Sequence, residues 1–123
     1  MKKVMFICFV SFTSFTVHAQ LKNTKWKGDI QLENKVPVIF HYGSDTLEVI
    51  NTEDNTSIEK MTYTTKDSIL TLQKVSGQSD CNTTEPAKYK FIIKKDTLAI
   101  TLITDPCDDR FNVLDNSKWT KMK

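Results

Sequence analysis

Beyond residue 20, the residues that could carry chemistry are one histidine, two cysteines, a short run of aspartates and a set of regularly spaced aromatics. Hydrolysis by a Ser/His/Asp arrangement needs a histidine within reach of a nucleophile and oriented by an acid. His41 falls in phase with Pro37 and Ile39, opposite the apolar face of its segment, and no G-x-S-x-G elbow is present. His41 is therefore expected on the surface. Asp105, Asp108 and Asp109 are close enough in sequence to suggest calcium, but the D-x-[DN]-x-[DN]-G order of a calcium loop is missing. They are better explained as turn formers, one of them pairing with Arg110, the only arginine. Asp29 and Glu33 share the outward face of one segment and so do not converge as a glycosidase pair would. No catalytic residue, metal or cofactor is expected, and the protein is not expected to be an enzyme.

Compartment follows from the first twenty residues and the cysteines. Met1-Lys2-Lys3 is a short positive start, Val4 to Val10 is an unbroken apolar run, and Val17-His18-Ala19 offers the small residues that signal peptidase reads. Residues 1–19 are thus expected to be a signal peptide, with cleavage before Gln20 and a single domain over residues 20–123. Ser11, Thr13, Ser14 and Thr16 interrupt the apolar stretch well short of the roughly 20 residues that a membrane anchor needs. Cys8 goes with the discarded segment. Cys81 and Cys107 remain, and an even pair in a small exported domain implies a disulfide in an oxidising compartment, periplasmic or extracellular. Removing Lys2 and Lys3 from the 17 basic residues leaves them level with the 15 acidic ones. A neutral surface lacks the basic excess that nucleic acid or an anionic membrane would demand.

The elements that must position these residues are strands. From Gln20 onward there are fourteen threonines and two alanines, a composition that favours sheet over helix. Alternation with period two puts Trp26, Gly28, Ile30 and Leu32 on one face of the first strand. The same pattern recurs over Val36 to Tyr42, Thr46 to Asn51, Glu59 to Thr65, Ser68 to Lys74, Ala87 to Lys94 and Thr97 to Thr104. A last strand is placed around Arg110 to Leu114, with Trp119 in a partly exposed tail. Val75 to Pro86 has loop composition. Eight strands on short connections predict an all-β, antiparallel up-and-down barrel.

In the hairpin centred on Lys94 to Thr97, facing positions sum to 191, which sets Cys107 opposite position 84. A Cys81–Cys107 bond across the open end is then geometrically reasonable, closing a 26-residue loop at a gain of roughly 3 kcal/mol.

The inward set is Val36, Val38, Phe40, Tyr42, Leu47, Val49, Met61, Tyr63, Leu70, Leu72, Tyr89, Phe91, Leu98 and Ile100. An eight-stranded barrel can fill its interior with side chains or hold one small ligand. Phe40, Tyr42, Met61, Tyr63, Tyr89 and Phe91 are the expected pocket lining, because their tyrosine hydroxyls add polar anchors to apolar walls.

Asn23-Thr24-Lys25-Trp26-Lys27-Gly28 resembles the G-x-W first-strand motif of lipocalin and calycin barrels, with Thr24 at the motif's glycine. Tyr89 to Leu98, Asp105-Pro106-Cys107-Asp108-Asp109-Arg110 and Trp119 resemble the closing part of small secreted lipocalin-like proteins of the Bacteroidota. The resemblance implies a lipocalin-like fold in which Trp26 plugs one end of the barrel and Arg110 packs over it. Two functions from different classes fit such a chain. One is an exported, monomeric, non-enzymatic protein that holds a small hydrophobic or amphipathic molecule in a β-barrel calyx. The other is a secreted or periplasmic inhibitor or immunity-type module, which would press the Cys81-anchored loop into a protein partner.

Overall fold

A computed structural model describes residues 21–123. The expected signal peptide, Cys8 and the expected cleavage site before Gln20 lie outside the described residues. Eight strands follow one another: β1 (Thr24–Gln31), β2 (Lys35–Tyr42), β3 (Thr46–Asn51), β4 (Thr56–Lys66), β5 (Ile69–Gly77), β6 (Ala87–Lys94), β7 (Thr97–Thr104) and β8 (Ser117–Lys121). One short helix, α1 (Asp108–Leu114), separates the last two. Each strand pairs antiparallel with its predecessor and β1 pairs with β8, closing an up-and-down barrel. The protein is all-β, as the alternation implies, and its architecture is consistent with a lipocalin-like fold.

Pairing between β6 and β7 follows the expected register from Lys94 opposite Thr97 to Tyr89 opposite Leu102, and then shifts by one, with Lys88 opposite Thr104. Between β4 and β5, Asp67 and Ser68 both have positive φ (51° and 64°), the conformation of a two-residue turn whose twist matches that of the strands. Thirteen of the fourteen residues assigned inward are buried and the remaining one, Val36, packs against them half-buried. His41 stays on the outer phase.

The chain after Thr104 departs from expectation. Arg110 to Leu114 is helix, and the closing strand is Ser117–Lys121. Pro106 cannot extend β7, and Asp108 and Asp109 occupy the first helical turn, where acidic side chains favour the helix dipole. Asp115, extended at φ −66° and ψ 131°, ends the helix, and Asn116, at φ 56°, makes the turn that sends the chain back along β7. Trp119 is accordingly no tail residue. It is only 2% exposed and stacks on Phe40 with ring centroids 3.9 Å apart. Its ring lies against Gly28, where any Cβ would overlap it. Glycine at that position is a packing requirement of the indole.

Candidate functional site

The two ends of the barrel are built differently. At one end lie the start of β1, the β2–β3, β4–β5 and β6–β7 turns and the end of β8. This end is packed. Trp26 is buried there with its Nε1 donating to Thr24 Oγ1 at 2.8 Å. Leu21 is buried and Asn23 N–H bonds Gly43 O, which draws the incoming chain against the same end. Tyr42 and Tyr63 meet edge to face at 5.1 Å, and the Tyr63 hydroxyl donates to Gly43 O.

The other end is formed by the β1–β2 turn, the start of β4, the loop after β5 and α1, and it holds a cavity of about 470 Å³. Phe40, Val49 and Met61 make its floor. Ile58 joins them through a bulge: Val49 faces Glu59 and Ile50 faces Ser57, leaving Ile58 as an extra residue turned inward. Arg110, Val113 and Leu114 of α1 form the roof, and Gln31, Leu32, Glu59, Gln78, Ser79, Asp109 and Asn112 complete the wall and rim. Leu32, expected inward, lies past the end of β1 and is 48% exposed on that rim.

A buried polar network fixes the roof. The Asp105 carboxylate takes Arg110 Nε and Nη2, both at 2.8 Å, in a two-point pair with the two side chains 0% and 3% exposed. The Tyr89 hydroxyl and Cys107 N–H also donate to Asp105. Burial opposes the Asp105 charge, but the Arg110, Tyr89 and Cys107 hydrogen bonds outweigh it and hold the carboxyl below its ordinary range. Burial, followed by the bond to Asp105, pushes the Tyr89 phenol well above its ordinary value. Arg110 Nη2 reaches Glu85 O at 3.3 Å, whereas Nη1 is enclosed with no hydrogen-bond partner among the described residues. Covalently, the Cys81–Cys107 disulfide ties the residue preceding α1 to the loop after β5, with Cα atoms 5.4 Å apart. Asp109 Oδ2 accepts Asp80 N–H at 3.0 Å across the same junction. On the facing wall Glu59 accepts the Ser79 hydroxyl, and Lys74 lies 3.9 Å from it while donating to Gly77 O and Ser79 O.

Of the six residues expected to line a pocket, Phe40 and Met61 lie on the cavity wall. Tyr42 and Tyr63 belong to the packed end, Tyr89 serves Asp105, and Phe91 is buried in the core. Trp26 and Arg110, which the lipocalin resemblance would stack together, sit toward opposite ends of the barrel. Trp26 pairs beside Phe40 and Lys121 near the start of β1, while Arg110 belongs to the β7–β8 connection. Among the three aspartates weighed for calcium, it is Asp105 that pairs with Arg110, and no group of three metal-ligating side chains forms among the described residues. Glu59, Ser79 and Ile58 were not singled out by sequence. Only the bulge, which alternation does not show, turns Ile58 inward beside them.

Fold and site together define a closed antiparallel barrel with one packed end and one hollow end under a disulfide-tied helix. The chain matches no protein-family model, no curated protein and no solved structure.

Proposed function

We propose that this is an exported, non-enzymatic binding protein that holds a small apolar or amphipathic molecule in the hollow end of its barrel. The observation that carries the reading is the one-ended cavity, whose volume falls in the range of small-molecule sites and whose apolar floor is rimmed by polar groups. A disulfide suits an oxidising compartment, in keeping with the charged, apolar and small-residue order of residues 1–19. The loop that an inhibitor would present contributes Gln78 and Ser79 to the cavity wall, which favours a role in shaping the mouth.

The test is native mass spectrometry of protein purified from its compartment without detergent, followed by organic extraction and by titration with a lipophilic fluorophore. A co-purifying small molecule, or fluorophore binding abolished by Met61→Trp, is expected. Bare polypeptide mass with no fluorophore uptake would sink the proposal and turn attention to the inhibitor role.

A further inference from the structure

The charges at the cavity mouth narrow the class of ligand, and the argument rests on the calyx reading above. Overall the chain after Gln20 is balanced in charge, but the mouth is not. Arg110 is the one cationic side chain on the cavity wall: Asp105 takes two of its nitrogens, and the third, without a hydrogen-bond partner among the described residues, is buried. An anionic head group therefore finds no solvent-exposed cation on the cavity wall. Two carboxylates share the wall, and Glu59 is already occupied by Ser79 and Lys74. Asp109 differs. It is solvent-exposed on the roof helix, takes only a backbone N–H from Asp80, and has no cationic partner within ion-pair distance among the described residues.

We infer that the cavity takes a cationic amphiphile, an ammonium group carried on an aliphatic or aromatic body. The ammonium sits at Asp109, and the apolar body lies on Phe40, Val49, Ile58 and Met61. Attraction to this unpaired carboxylate is enough to sort head groups on a shared tail.

Calorimetric titration of the whole exported protein with n-decylammonium, 1-decanol and n-decanoate, at neutral pH and low salt and below micelle-forming concentrations, tests this with one tail and three heads. Decylammonium is expected to bind at least about tenfold more tightly than decanoate, with decanol between them, and added salt should shrink the spread. Asp109→Asn, which keeps an acceptor for Asp80 N–H, should bring decylammonium down to the decanol level and leave decanol unchanged. Decanoate binding as tightly as decylammonium, or an Asp109→Asn protein with the order intact, overturns the inference while decanol binding that Met61→Trp abolishes leaves the calyx standing. If none of the three binds, both readings fall together.

Discussion

The packed end of the barrel is closed by an apolar plug and the hollow end by a roof pinned at a few polar and covalent points. Where β1 begins, short turns bring Trp26, Tyr42, Tyr63 and Leu21 into one buried apolar mass. At the other end the loop after β5 and the β7–β8 connection run long, and they cross the mouth held by a disulfide, a buried ion pair and a few directed hydrogen bonds. An apolar plug gains from every atom that fills it. A polar roof gains only at fixed points, so it can bridge a space without filling it. The difference teaches why a single set of eight strands carries a core at one end and a cavity at the other.

Removing the partition between the two regions should have the largest effect. Trp119 stacks on Phe40, the cavity floor, and leans on Gly28, so Trp119→Ala is expected to cost about 3–5 kcal/mol in chemical denaturation, as much as Trp26→Ala. Gly28→Ala, which drives a methyl into the indole, should cost about 1–3 kcal/mol alone and much less in a Trp119→Leu background. Additive losses in that double variant would mean that the two residues do not share one packing site.

Next is the roof itself. Asp105→Asn leaves Arg110 buried without its counter-charge and is expected to cost about 3–4 kcal/mol. Asp105 is depressed in the folded state, so its contribution is present above the ordinary carboxylate range and is lost as pH falls through the lowered value. Acid titration of stability should therefore show a low-pH loss that is weakened in Asp105→Asn, and an identical acid limb in both proteins would break the assignment.

The hollow end was also the less legible in sequence. Seven strands and the inward phase of the barrel follow from alternation, because side-chain direction in a strand has period two and one face is buried. The β6–β7 register follows from a two-residue turn as far as Tyr89, beyond which a one-residue shift intervenes, and the disulfide follows from the even cysteine pair. Helix α1 is only seven residues long, and its two buried positions, Arg110 and Leu114, are too few to establish a helical period against a strand pattern. The readable signals were Pro106, the two aspartates of the first turn and Asn116 beyond the end. Misplacing the helix hid both Trp119 and the cavity roof, since a strand over Arg110 to Leu114 leaves neither. Tyrosine hydroxyls were a poor guide to the pocket because the protein satisfies two of them internally.

Cutting the covalent tie should come third in size. Cys81→Ser with Cys107→Ser frees a 26-residue loop and is expected to cost roughly 3 kcal/mol. The loss should be uneven. Hydrogen exchange should rise first in the loop after β5 and in α1, with the amides of β2, β3 and the β4–β5 turn still protected. Uniform acceleration along the chain would show that the bond stabilises the whole barrel and not its hollow end.

The smallest and most discriminating effects belong to the tyrosines, which differ in what their hydroxyls touch. Tyr89→Phe removes a bond to the Asp105 carboxylate and should cost about 1.5–3 kcal/mol, in the range for hydrogen bonds to charged groups. Tyr63→Phe removes a bond to the neutral Gly43 carbonyl and should cost about 1 kcal/mol. Tyr42 is fully buried, and burial, reinforced by the neighbouring Tyr63, pushes its phenol far above the ordinary value, so the hydroxyl stays neutral. That hydroxyl has no partner among the described residues. Its desolvation is uncompensated, and Tyr42→Phe takes away only the oxygen while keeping the edge-to-face contacts with Phe40 and Tyr63. Stability should therefore stay level or rise by up to about 1 kcal/mol. Urea midpoints for the three variants at neutral pH give the order directly. A Tyr42→Phe loss as large as that of Tyr63→Phe would mean that the packed end holds a bound water or another polar partner beside Tyr42, and the contrast between a dry end and a polar end would no longer stand.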